Sequence, residues 1–272
     1  MNRIDQIFSQ LRESRRKALM PFVCADYPQR GSLAGVIEAV AGAGASIIEI
    51  GIPFSDPIAD GPVIAAAMHE ALIQGSTPLG VFEQVHHVRS RTNVGLIAMV
   101  SVSIVHRIGA DRFIEAAREA GFDGFIFPDA PLEEAGELAR RTAEAGMTAS
   151  LLIAPTTSRE RAARIAALST GFIYLLARSG ITGERDQAPD VGRRVSQLRE
   201  VTDLPIACGF GISTPEHVRA VVAHAEAAIV GSALVRRMGE VQARNGNVAF
   251  EAGAFVRELA RGCEATPERV DG

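Results

Sequence analysis

The chain has 272 residues, of which 47% are hydrophobic, 22% charged and 5% aromatic, with a formal net charge of −4. It carries no block of like charge and no apolar run of bilayer length, so nucleic acid, an anionic membrane surface and a membrane span are all disfavoured as its business. Cys24, Cys208 and Cys263 lie far apart without CxxC spacing. That argues against a disulfide framework or a zinc site, and for reduced cysteines in a cytoplasmic protein.

The opening residues, MNRIDQIFSQLRESRRK, have no apolar stretch of the kind a signal peptide needs. Ile4, Ile7, Phe8 and Leu11 fall at helical spacing and predict an amphipathic helix over 1–16. Short apolar runs then alternate with longer helical patterns. The runs are Ala18 to Cys24, Ala45 to Pro53, Val94 to Val100 and Asp123 to Phe127, followed by Met147 to Ile153, Gly171 to Leu176, Leu204 to Phe210 and Glu226 to Gly231. Near-continuous apolar strands suit a parallel sheet covered on both faces. Eight of them separated by helices predict a single (β/α)8 TIM barrel occupying 1–272, with a polar tail over 264–272. An open doubly wound sheet is the alternative, but no GxGxxG follows the first strand. Extra helices are expected after the second strand, over Val63 to Gln74, and after the eighth.

In such a barrel the chemistry lies at the C-terminal ends of the strands. Glu49 interrupts the second apolar run, IIEIG, and alternation places it with Ile47 and Gly51 on the inward face. A carboxyl there loses water and its pKa rises unless a partner supports the charge. A buried glutamate satisfied by backbone donors is the plainer alternative. Asp60 follows in the loop GIPFSDPIADGP and reads equally well as a helix cap or as the second member of an acid–base pair. Asp56 and Asp129 compete for that role. Two glycine clusters, Gly209-Phe210-Gly211 and Gly231-Ser232, stand at the ends of the seventh and eighth strands, where barrels commonly hold phosphate. Gly183, in the loop after the sixth strand, can add another backbone N–H; simple turn glycines are the plainer alternative.

What is missing also narrows the reaction. Lys17 is the only lysine among 28 basic residues, and it precedes the first strand, at the wrong end for a Schiff base. Of the histidines only His106 is expected in a strand-end loop, too few for a metal site. Proton transfer by carboxylates on a phosphorylated substrate remains.

The run IEIGIPFSDPIADGPVI, together with YLLARSGITG, GFGIS and GSALV, closely resembles the tryptophan synthase alpha-subunit family. The resemblance extends from PFV near Phe22 to the last helix. It implies retro-aldol cleavage of indole-3-glycerol phosphate to indole and glyceraldehyde 3-phosphate. Glu49 would move the protons and Asp60 would stabilise positive charge at the indole N–H. Phe22 and Tyr174 would contact the indole, Thr182 would hold Asp60, and Gly183, Phe210, Gly211, Gly231 and Ser232 would form the phosphate end. No cofactor is implied here. The implied partner is a beta subunit carrying pyridoxal phosphate, in an alpha2beta2 assembly, with Phe54, Asp56, Pro57 and Ser103 towards the interface.

Two departures from the family pattern stand out. Ser101 and Ser103 stand where a tyrosine and an asparagine are usual, and Ala25-Asp26-Tyr27-Pro28 replaces a common Gly-Asp-Pro turn. The first departure raises a regulatory subunit of low activity as an alternative; a stand-alone indole-producing lyase is another. Indole-3-glycerol phosphate synthase, a similar barrel, relies on lysines that this chain lacks.

Overall fold

In the computed structural model, which describes residues 2–57, 60–176, 191–209 and 211–264, the apolar runs become parallel strands. They are β1 (Ala18–Cys24), β2 (Ile47–Gly51), β3 (Gly95–Met99), β4 (Gly124–Ile126) and β5 (Thr148–Ser150), then β6 (Leu152–Ile153), β7 (Ile173–Leu176), β8 (Ile206–Gly209) and β9 (Ala227–Val230). The order β5-β4-β3-β2-β1-β9-β8-β7-β6 begins and ends on two pieces of one strand, separated only by Leu151. Nine pieces thus make the eight staves of a TIM barrel, as the sequence predicts.

Side-chain alternation divides the core in two. Ile48, Ile50, Leu96 and Ala98 pack outward under the helices, whereas Met20, Phe22, Ile47 and Ile97 fill the barrel interior. This phase fixes Glu49 inward, because a strand reverses face at every residue.

The helices are α1 (Arg3–Glu13), α2 (Leu33–Ala41), α3 (Pro62–Ile73), α4 (Pro78–Arg89), α5 (Val102–Ile108) and α6 (Ala110–Ala120). They continue with α7 (Leu132–Glu144), α8 (Arg159–Leu168), α9 (Gly192–Arg199), α10 (Pro215–Val222), α11 (Ser232–Ala243) and α12 (Val248–Ala260). α1 closes the N-terminal end of the barrel: Ile4 and Phe8 are buried, and the Phe8 ring lies 5.9 Å from Phe172. Asn2 caps α1 through the Ile4 N–H and donates to the carbonyls of Asp123 and Gly146, fastening the plug to the barrel floor.

The expected extra helices are α3 after the second strand and, after the eighth, α11 and α12. A further helix, α5, follows β3, where a loop is the simpler expectation from a β-branched run. Its start is set by Ser101, whose hydroxyl accepts from the Ser103 N–H, and its end by Gly109 at φ 95°. His106 consequently lies in the last turn of α5 rather than in a loop.

Candidate active site

β1 and β2 pair with Phe22 opposite Glu49, so the ring and the carboxyl share one level of the barrel. Glu49 is fully buried, and among the described residues neither carboxyl oxygen has a hydrogen-bond partner. Burial holds its pKa well above the ordinary glutamate value, and no opposite charge offsets that effect. Burial thus favours the protonated acid, the form that has a proton to give. Backbone satisfaction, the plainer reading, is not what the geometry shows.

Two strand glycines make room for the aromatic walls. A Cβ on Gly51 would lie 2.5 Å from Phe22 Cζ, and one on Gly209 would lie 2.6 Å from the Tyr174 hydroxyl. Glycine inside a strand signals such a close approach. Sequence reasoning missed this role: Gly51 read only as an inward-facing strand residue, and Gly209 as part of a glycine cluster for phosphate. Tyr174 is 6% exposed, and burial, with the nearby charges of Glu49 and Asp60, pushes its hydroxyl well above the usual tyrosine range. It stays a neutral donor.

Asp60 stands just before α3, yet it is not the cap. Gly61 occupies that position, and no side chain caps the helix. The Asp60 N–H donates to the Pro57 carbonyl at 3.0 Å, closing a turn. Burial and the negative charge of Asp129 together raise the Asp60 pKa to about 6. At neutral pH it is therefore ionised, unlike Glu49. Phe54, Asp56, Pro57 and Asp60 line a cleft with Ser101 and Asp129. Asp56 is exposed, Phe54 and Pro57 are half-buried, and Ser103 lies exposed on α5.

Ser101 leaves no simple gap where the family's tyrosine is usual. Its hydroxyl donates to Asp129 Oδ2 at 2.6 Å while accepting from the Ser103 N–H, and the Val102 N–H donates to Asp129 Oδ1 at 3.0 Å. Asp26, from the other departure, adopts φ 58° and accepts from the Gly31 N–H, the Ser76 hydroxyl and the Gln84 amide. A short acid that bonds its surroundings tolerates the left-handed region better than most residues.

Across the mouth, Gly231 stands at the N-cap of α11, and among the described residues no side chain caps that helix, whose N-terminus is an electropositive end. Gly231 lies beside Phe22, at ordinary contact distance for an added Cβ. Gly211 takes φ 75° after β8, and Ser232 is half-buried in the first turn of α11. Thr182, Gly183 and Phe210 lie outside the described residues. Lys17 sits at the opposite end, donating to the Ala225 carbonyl at 2.8 Å. Among the described residues no group of three or more His, Cys, Asp or Glu is placed to hold a metal ion.

A parallel barrel with a buried acid, a second carboxyl group and a helix N-terminus at one mouth defines the class of (β/α)8 barrels whose site lies at the C-terminal ends of the strands. Residues 8–264 match the family model described as tryptophan synthase alpha chain. The chain is 43% identical over 259 residues to the tryptophan synthase alpha chain of Synechococcus sp. (strain CC9902), covering 94% of this chain and 96% of that one. With the alpha chain of Prochlorococcus marinus (strain MIT 9313) the identity is 44% over 258 residues, covering 94% and 93%. Among solved structures, tryptophan synthase subunit alpha from Legionella pneumophila str. Paris superposes with a TM-score of 0.90 at 32% identity, covering 97% of this chain and 98% of that one. An aminoacrylate-bound tryptophan synthase from M. tuberculosis gives 0.86 at 28% identity, covering 97% and 100%. The chain belongs to the tryptophan synthase alpha chain family.

Proposed function

We propose that Glu49 and Asp60 carry out the indole-3-glycerol phosphate cleavage that membership of this family gives the chain. The observation that supports this most is the Glu49 carboxyl, fully buried beside Phe22 with neither oxygen partnered among the described residues. Phe22 and Tyr174 flank the indole, and the phosphate rests on the N-terminus of α11 with Gly211, Gly231 and Ser232; Thr182, Gly183 and Phe210 belong to the same proposal.

The neutral Glu49 gives its proton to the ring carbon that bears the glycerol chain. The ring nitrogen then takes up positive charge, which the ionised Asp60 stabilises in a setting poorer in water than bulk. Glu49, now a carboxylate, removes the proton from the hydroxyl on the adjacent chain carbon. That oxygen forms the aldehyde, the carbon–carbon bond breaks, and its electron pair returns to the ring. The products are indole and glyceraldehyde 3-phosphate, and Glu49 regains its proton.

In this family pyridoxal phosphate belongs to the beta subunit. We infer that this chain needs no cofactor of its own, works in the cytoplasm, and joins a beta subunit in an alpha2beta2 assembly. Phe54, Asp56, Pro57 and Ser103 face that partner in the proposal. No helix among the described residues is long and apolar enough to cross a membrane.

The test is indole release from indole-3-glycerol phosphate by the chain alone and with a beta subunit. Slow cleavage alone and a rise of roughly a hundredfold with the partner are expected, because small displacements of catalytic groups cost about that much. Full speed alone would make the chain a stand-alone lyase. No cleavage in either case, with glycerol phosphate still bound, would make it a regulatory subunit.

A further inference from the structure

Asp129 is held more firmly than a strand-end aspartate needs to be. One oxygen takes the Ser101 hydroxyl at 2.6 Å and the other the Val102 N–H at 3.0 Å, so the carboxylate is clamped to the N-terminus of α5. Ser101 is itself 6% exposed and is fixed from behind by the Ser103 N–H. The clamped carboxylate lines the same cleft as Asp60, with Ile52, Met68 and Met99 as apolar walls. A carboxylate opening into the same partly dry space as Asp60 repels it and raises the cost of ionising Asp60.

We propose that Asp129 is a positioning residue for Asp60: clamped by Ser101 and the first turn of α5, it supplies a fixed negative charge that sets the pH at which Asp60 becomes active. The clamp uses the Ser101 hydroxyl, so this control depends on that side chain. The raised pKa of Asp60, with the Asp129 charge as its second cause after burial, agrees with the geometry. The proposal rests on the reading of Asp60 as a catalytic group.

Other titratable groups near Asp60 are distinguishable. Cys24 on β1 and Tyr174 on β7 both sense the Asp60 charge, but burial pushes both upward, so they are neutral. Burial pushes the Glu49 carboxyl on β2 upward too, favouring its protonated form. Glu70 on α3 acts on Cys24 and Tyr27, and Asp56 is exposed on the same loop as Asp60. Among the described residues Asp129 is therefore the buried-side anion that Asp60 meets.

The experiment is the pH profile of kcat/KM for indole release, measured with the beta subunit for the unaltered chain, Asp129→Asn and Asp129→Ser. Both variants delete the charge and keep an acceptor for the Val102 N–H. The acid limb, which reports Asp60, should move to lower pH by about half a unit or more. Asp129→Glu, which keeps a charge in the cleft, should leave it near its original place. An acid limb that stays put in folded charge-deleting variants overturns the proposal, even if the rate falls at every pH. If neither variant folds, raising the salt from roughly 0.05 to 0.5 M with the unaltered complex decides: screening should lower the limb, and an unmoved limb overturns the proposal. Near-full activity of Asp60→Asn would overturn the reading of Asp60 itself, an outcome distinct from a fixed acid limb.

Discussion

At the scale of single residues, the site is held at a cost in stability. Asp60 ionises near pH 6 in the folded chain, against an ordinary value of 3.8. The folded state thus binds its proton more tightly than the unfolded state does. The stability that this gives is complete below pH about 4 and is lost as pH rises through about 6. Asp60→Asn should match the unaltered chain in stability near pH 4 and exceed it at pH 7.5 by on the order of 2 kcal/mol. Urea unfolding at the two pH values measures this, and equal curves at pH 7.5 would show that the burial of Asp60 carries no penalty. Ser101 is the opposite case, a residue whose bonds stabilise. Ser101→Ala removes a helix cap and should cost about 1 kcal/mol. Ser101→Tyr loses the same bonds, so restoring the family's aromatic residue alone should lower stability as well.

At the scale of elements, the strands were legible because each is short, apolar and followed by helical periodicity. The inward phase of β2 could be read from Ile48 and Ile50 alone. The split of the fifth stave at Leu151 and the existence of α5 could not. The first depends on hydrogen-bond register across the closing edge. The second depends on a serine cap inside a β-branched run, where periodicity points away from a helix. Glu49 was legible because a lone carboxyl in an apolar strand is costly to bury and persists only where it has a use. The glycines that give it its setting were not, since their meaning lies in which ring approaches them. Gly51→Ala and Gly209→Ala should therefore each cost about 1–3 kcal/mol by overpacking and raise KM for the indole substrate, as Phe22 or Tyr174 is displaced. Melting and steady-state rates on the two variants would show it; unchanged KM with unchanged stability would mean that the rings do not bear on the site. Gly231 differs, because an added Cβ there meets only ordinary contacts. Gly231→Asp should abolish glycerol phosphate binding through charge at the α11 N-terminus while the fold survives, which calorimetric titration can follow.

At the scale of the whole molecule, the barrel separates its stability from its chemistry. α1 and the Asp123 cluster with Arg3 and Arg89 fasten the N-terminal end, at 3.3 and 3.1 Å, whereas the carboxyl groups occupy the other. The loop leading to Asp60 begins at Phe54 on the partner-facing side of the proposal, so a partner packed there should also bear on the placement of Asp60. Asp56→Ala and Pro57→Gly should weaken activation by a beta subunit more than they weaken ligand binding by the chain alone. Cleavage rate against added beta subunit measures that difference.

The most direct measurement of whether this site cleaves indole-3-glycerol phosphate is indole release by Glu49→Gln in the presence of a beta subunit, with glycerol phosphate binding as the control for folding. The amide keeps the shape of the side chain but has no acidic proton to give and no carboxylate to take one back. The expected result is a fall of at least about a hundredfold in kcat with phosphate binding preserved. Near-full activity in the folded variant would contradict it and place the proton transfer elsewhere in the barrel mouth.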